Sequence, residues 1–166
     1  MADPRIPAET RIVFAVQLPF LLSLAVGVSA SALAAEERGN LFGDPVVQVT
    51  AAIATCPPQH GPMIAESEMR TEAHSRAERG TRCYQSGQCR LPNAYLYDRE
   101  IIPRVRQAIL YDGRFADSSI WIEGQRRWVW LKGCVSKPEQ ALQIEQLVRH
   151  IDDVESVINE LTLAPR

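Results

Sequence analysis

The chain has 166 residues, room for one domain with an elaboration, and its 46% apolar and 23% charged composition is ordinary for a globular protein. A formal charge of −2 gives it no global attraction to nucleic acid. Four cysteines are the informative count, because they indicate two disulfides in an oxidising compartment and metal or redox chemistry in a reducing one.

The first segment bears on that choice. Arg5 and Arg11 lead into a mostly apolar run from Ile12 to Val28, interrupted by Gln17 and Pro19, and small residues follow to Ala35. Ala32-Leu33-Ala34 has the small-x-small form of an export cleavage site, so residues 1–34 are read as a signal peptide cleaved near Ala34. The run is short for a membrane span once its interruptions are counted. No cysteine sits just after the cleavage point, which argues against a lipoprotein.

Residues 36–61 are rich in glycine and proline, and their one apolar patch, Val46–Ile53, fits a short strand or a helix equally well. Pro62 to Arg79 predicts a helix: proline suits the first turn, Glu66 and Glu68 lie near the start, Arg76 and Arg79 near the end, and Gly80 offers a stop. Its apolar stripe (Met63, Ile64, Met69, Ala73, Ala77) is narrow, so the helix needs a partner surface. Glu66, Glu68 and Glu72 read as its solvated face. Cys83 to Cys89 then forms a compact turn around Gly87.

From Asp98, a good N-cap residue, Ile101, Ile102, Val105, Ala108 and Ile109 recur at helical spacing up to Asp112-Gly113. Pro103 is awkward within that helix. Ser119–Glu123 predicts a short strand and Gly124-Gln125 a turn. Arg126 to Val135 alternates, with Val129, Leu131 and Val135 on one parity and Trp128, Trp130, Lys132 and Cys134 on the other. Gly133 marks a bulge or a close approach. Ser136-x-x-Glu139 has the form of a capping box with Pro138 in the first turn, and Ala141, Ile144, Leu147, Val148 and Ile151 line one helix face. After Asp152-Asp153, the segment Val154–Leu163 closes as a strand.

This order of helix, strand, strand, helix, strand resembles the BON domain, a small module of exported bacterial envelope proteins. The matching residues are the helix ending at Asp112-Gly113, then Val129-x-Leu131-x-Gly133-x-Val135, the amphipathic helix, and Val154-x-x-Val157-x-Asn159-x-Leu161. The family usually has glycine before the valine that opens the last strand; Asp153 stands there, and aspartate tolerates left-handed backbone better than most residues. The resemblance spans residues 98–163 and implies an α+β sandwich, two helices on one face of a three-stranded sheet, with residues 35–97 as a cysteine-containing, partly helical N-terminal extension. It also implies a periplasmic location, association with phospholipid membranes and a role in envelope integrity, without catalysis or a cofactor.

In that frame, parity places Ile120, Ile122, Val129, Leu131, Val157 and Leu161 on the helix side, and Trp121, Trp128, Trp130, Lys132, Cys134 and Ile158 on the other. Three tryptophans on an open sheet would make a large apolar patch. Either residues 36–97 close over it or it docks a lipid or a protein, and closure is favoured because so small a core is marginal alone. Cys134 projects from this face, and its intramolecular partners all lie in the extension. The preferred pairing is Cys83–Cys89 with Cys56–Cys134; the two alternatives stay open. Metal binding by Cys56, His60, His74, Cys83 and Cys89 matches no tight zinc spacing. His150 reads as a dipole partner at a helix end.

No nucleophile motif, phosphate loop or histidine–carboxylate cluster points to an enzyme. Arg126, Arg127, Trp128, Trp130, Trp121 and Lys132 are the candidate contacts, with arginine facing a lipid phosphate and tryptophan at the interface. The expectation is a non-catalytic binding module for an anionic phospholipid surface, with a protein–protein adaptor of a secretion or cell-wall assembly as the alternative.

Overall fold

A computed structural model describes residues 36–165. The expected signal peptide, residues 1–34, lies outside the described residues. In chain order the elements are β1 (Arg38–Gly39), β2 (Val46–Gln48), β3 (Ile64–Ala65), α1 (Met69–Gln85), α2 (Asp98–Asp112), β4 (Ser119–Gln125), β5 (Trp128–Val135), α3 (Pro138–Arg149) and β6 (Ser156–Leu163). Among these described elements, no helix is long and apolar enough to cross a membrane.

Period-two alternation in β4 and β5 and helical spacing in α2 and α3 create apolar faces that can be satisfied only against each other. Ile120, Ile122, Val129 and Leu131 from the sheet meet Ile101, Val105 and Ile109 of α2 and Ile144 and Val148 of α3, all at most 1% exposed. Each such side chain contributes roughly 1.5–3 kcal/mol on leaving water. Strands β4 and β5 pair antiparallel, whereas β5 and β6 pair parallel across α3. At the start of α3 the side chain that reaches back is Gln140 rather than Glu139: its Oε1 accepts from the backbone N–H groups of Ser136 and Lys137, both at 3.0 Å. That glutamine is buried, so its amide also ties the helix to Arg114 and Asp117.

The sheet has four strands, not the three the resemblance implies. The undecided patch resolves as β2, which pairs antiparallel with β4 and sets Val47 opposite Ile122. Beyond β2 the chain keeps bonding to the start of β4, with Val49 N–H donating to Ile120 O at 2.8 Å and Ala52 N–H to Ser118 O at 3.0 Å. It then crosses the outer face of the sheet, where the Ser119 hydroxyl meets Ile53 N–H at 2.8 Å. Cys56 closes the crossing by bonding to Cys134 on β5, and Cys83 bonds to Cys89.

Helix α1 starts and ends later than the predicted 62–79. Residues 64–65 are extended because they pair with β1, and Arg38 donates to Met63 O at 2.8 and 3.2 Å. Gly80 does not stop the helix. A Cβ there would stand 2.3 Å from the Asn93 side chain, so its smallness serves packing. The partner surface that the weak apolar stripe requires is polar and aromatic. Arg76 of α1 is buried, binds both oxygens of Asp44, and lies over the rings of Tyr95 at 3.8 Å and Phe42 at 4.5 Å. Burial opposes the Arg76 charge, but the Asp44 carboxylate outweighs it and raises the guanidinium above its ordinary value.

The two bridges close loops of very different length, with sequence separations of 78 and 6. Chain entropy then predicts that replacing Cys56 and Cys134 by alanine lowers stability by about 4 kcal/mol, against about 2 kcal/mol for Cys83 and Cys89. Urea midpoints of the two double variants, compared at equal m-value, test that order.

Candidate functional site

The tip of the β4–β5 hairpin is a two-residue turn made of Arg126 and Arg127, both left-handed with φ of 56° and 68°. Such turns favour Asn-Gly, and nothing in an Arg-Arg pair announces one. The turn therefore falls two residues beyond the predicted Gly124-Gln125. Gly124 lies inside β4, where a Cβ would meet Ile102 Cγ1 at 2.7 Å, so the glycine admits α2 instead of bending the chain. What holds the turn is Asp98. Its two carboxylate oxygens accept the backbone N–H groups of Arg126 at 2.6 Å and Arg127 at 2.7 Å. Asp98 opens α2, yet caps the hairpin rather than its own helix. It is 1% exposed. Burial pushes its carboxyl up from the ordinary 3.8 to about 6, against the opposing pull of the Arg127 and Arg126 N–H groups.

Below the turn, the Arg127 side chain is committed internally. Its Nε donates to Asp153 O at 2.9 Å, and its Nη1 lies 3.2 Å from Cys89 Sγ and 3.5 Å from Cys83 Sγ. Asp153 has φ of 70°, so aspartate adopts the left-handed backbone at the position where the resemblance has glycine. Its carboxylate accepts from Arg104 at 3.0 Å. Lys132 is also taken up within the fold: Nζ reaches Glu123 at 2.6 Å and His60 O at 3.3 Å, and its side chain is 16% exposed.

Arg126 differs. It stacks over Trp128 at 4.7 Å, and among the described residues no carboxylate lies within ion-pair distance of its guanidinium. Trp128 and Trp130 lie 6.1 Å apart, half-buried in a recess of about 230 Å³ shared with Tyr95, Glu72 and Arg79. The indole N–H of Trp128 is buried without a partner among the described residues. Trp121 is also half-buried and stands opposite Lys132, whose Nζ is bonded to the crossing segment. The extension thus covers much of this face and leaves the hairpin end open.

At that end a cleft of about 500 Å³ is lined by Arg79 and Arg82 of α1, Arg126 and Arg127 of the turn, Cys83 and Glu155. Arg79 donates to Glu72 at 2.7 Å, while Arg82 makes no ion pair among the described residues. The sequence reading missed Arg82 because it ended the helix at Arg79; the i, i+3 spacing of the two arginines was the available signal. A separate shallow groove of about 650 Å³ is lined by Val47, Ile102, Pro103, Arg106, Leu110 and Tyr111, the last 92% exposed. His150 closes α3, with Nδ1 at 2.6 Å from Gln146 O. With all four sulfurs in disulfides, His60 and His74 have no thiolate neighbour, and no group of three potential metal ligands occurs among the described residues.

The family model for the BON domain matches residues 97–165. As a family, BON domains are non-catalytic, envelope-associated, phospholipid-binding modules, and proteins that carry them are typically exported to the periplasm. No curated protein and no solved structure matches the chain.

The raised Asp98 carboxyl makes stability depend on pH with a definite sign. Protonation is favoured in the folded state, so the contribution is complete below the ordinary 3.8 and is lost as pH rises through about 6. A shift of this size corresponds to roughly 3 kcal/mol. The carboxyl carbon of Asp98 should titrate by NMR with a midpoint near 6. In Asp98→Asn, the fall in urea midpoint across that window should be correspondingly smaller than in the parent.

Proposed function

We propose that this protein, through the domain matched at residues 97–165, is a non-catalytic periplasmic module that associates with anionic phospholipid surfaces and supports envelope integrity. Residues 1–34 serve as its export signal and 35–97 as an extension that completes the domain at 98–163. The observation that carries this reading is the collection of Arg79, Arg82 and Arg126 around one open cleft in a chain of net charge −2. Phosphate is the natural counterpart of a guanidinium, which offers two parallel N–H donors. Trp128 lies beside Arg126, where an indole can settle at the boundary between head groups and acyl chains.

Magnitudes make this a weak, salt-sensitive contact. Each arginine near an anionic surface contributes about 1 kcal/mol. One copy of the module therefore holds transiently, and a stable residence needs several copies or a second anchor.

A second reading, a protein–protein adaptor, is favoured by the groove beside α2. There exposed Tyr111 and Leu110 flank β2, an edge strand with one side unpaired. An extended peptide could add to such an edge with its side chains seated in the groove.

Flotation with liposomes separates the two. Binding should appear with anionic vesicles, be absent with neutral ones, and weaken at high salt. Arg82→Ala/Arg126→Ala should lower the apparent affinity roughly 10- to 30-fold, as expected for two surface arginines. Equal flotation of the double variant and the parent would remove the cleft from consideration as a lipid site.

A further inference from the structure

The two disulfides occupy opposite chemical environments. Cys56–Cys134 lies under the crossing segment, with its cysteines 7% and 2% exposed. In Cys83–Cys89 the sulfurs are asymmetric: Cys83 lines the arginine cleft, whereas Cys89 is 8% exposed and sits behind it. The Arg127 guanidinium lies against the bridge, with Nη1 3.2 Å from Cys89 Sγ and 3.5 Å from Cys83 Sγ, nearer the hidden sulfur. The guanidinium is held in place from behind by its Nε bond to Asp153 O.

We propose that Cys83–Cys89 is a thiol–disulfide exchange site whose partner is a small thiol bearing carboxylates. This inference concerns the sulfur chemistry of the cleft and stands whether or not the cleft meets lipid.

The geometry assigns a role to each sulfur. An incoming thiolate attacks Cys83 Sγ from the cleft; a new S–S bond forms to Cys83 and the bond to Cys89 breaks. The electron pair leaves on Cys89 Sγ beside the Arg127 guanidinium, and a leaving thiolate so stabilised departs faster. A second molecule of the thiol then attacks the sulfur of the first in the mixed disulfide and releases Cys83 as a thiolate. Two thiols are oxidised to one disulfide by loss of two electrons, and the protein disulfide accepts them. The two thiol protons end on Cys83 and Cys89. Run backwards with the oxidised thiol, the same steps restore the bridge.

Arg79, Arg82 and Arg126 select the partner. An anionic thiol is concentrated at the mouth of a basic cleft, and a cationic one is repelled, with effects on association of 10-fold and more. Glutathione, which carries two carboxylates, and cysteamine, which carries an ammonium, are the probes.

The test uses the full chain without denaturant, with alkylation and peptide mass mapping after timed exposure to each thiol. Cys83 and Cys89 should become alkylated together while Cys56 and Cys134 stay bridged. Glutathione, with each rate normalised to the same thiol's reaction with a small neutral disulfide, should outpace cysteamine by about 10-fold. The preference should fall towards unity in Arg82→Ala/Arg126→Ala and in high salt. Arg127→Gln, checked for parental circular dichroism, should be reduced about 10-fold more slowly, as loss of one stabilising charge at a thiolate predicts. Resistance of Cys83–Cys89 to glutathione until the protein unfolds, or a glutathione-to-cysteamine ratio that ignores the arginines, would overturn the proposal.

Discussion

Two backbone N–H groups and one buried carboxylate set the geometry from which most of this structure follows. Asp98 is at once the first residue of α2 and the acceptor for the Arg126–Arg127 turn. Left-handed backbone at two successive non-glycine residues is costly, of order 1 kcal/mol or more at each. Hydrogen bonds to a charged acceptor, worth about 1.5–3 kcal/mol each, offset it. With the turn so placed, β4 and β5 pair through Val129 opposite Gly124 and Leu131 opposite Ile122, which puts every aliphatic on the helix side. A shift of one residue would turn the tryptophans inward and the core outward. The same turn points Arg126 at the cleft and Arg127 at the disulfide, so the register of the core and the chemistry of the surface share one origin.

The extension is integral to this sheet. Strand β2 covers an edge of β4 that the matched segment alone would leave open, and the crossing chain bonds to Ser119 and Lys132. The join relies on directional contacts as much as on burial. Arg76, clasped by Asp44 between two aromatic rings, connects α1 to the segment before β2 and to the turn before α2. Its requirement for a planar, stacked cation explains why α1 can be so poor in apolar residues and still dock.

Where hydrophobic period decided structure, the sequence was legible. α2, α3, β5, the helix-side residues of the sheet and the inner and outer parities were all readable from spacing, and the preferred cysteine pairing followed from the helix expected to separate Cys56 from Cys83. Where a tertiary partner overrode local chemistry, it was not. Gly124 resembled a turn residue and proved a packing residue; Gly80 resembled a helix stop and instead makes room for Asn93. Residues 64–65 had helical credentials but were drawn into a two-stranded ladder with β1. The candidate site was half visible. Arg126 and Trp128 stood out, whereas Lys132 and Arg127 turned inward to partners distant in sequence, and Arg82 belonged to a turn of helix that was read as loop.

The long bridge carries an implication for how such a chain matures. In a polypeptide entering an oxidising space N-terminus first, Cys56, Cys83 and Cys89 arrive together well before Cys134, and the sulfur that Cys56 finally joins is the last to emerge. Oxidation in order of arrival would strand Cys56 on a neighbour and block the crossing segment from reaching β5. Should Cys56 be oxidised before Cys134 arrives, the final pairing would require disulfide isomerisation, with the docked hairpin as the template that selects it.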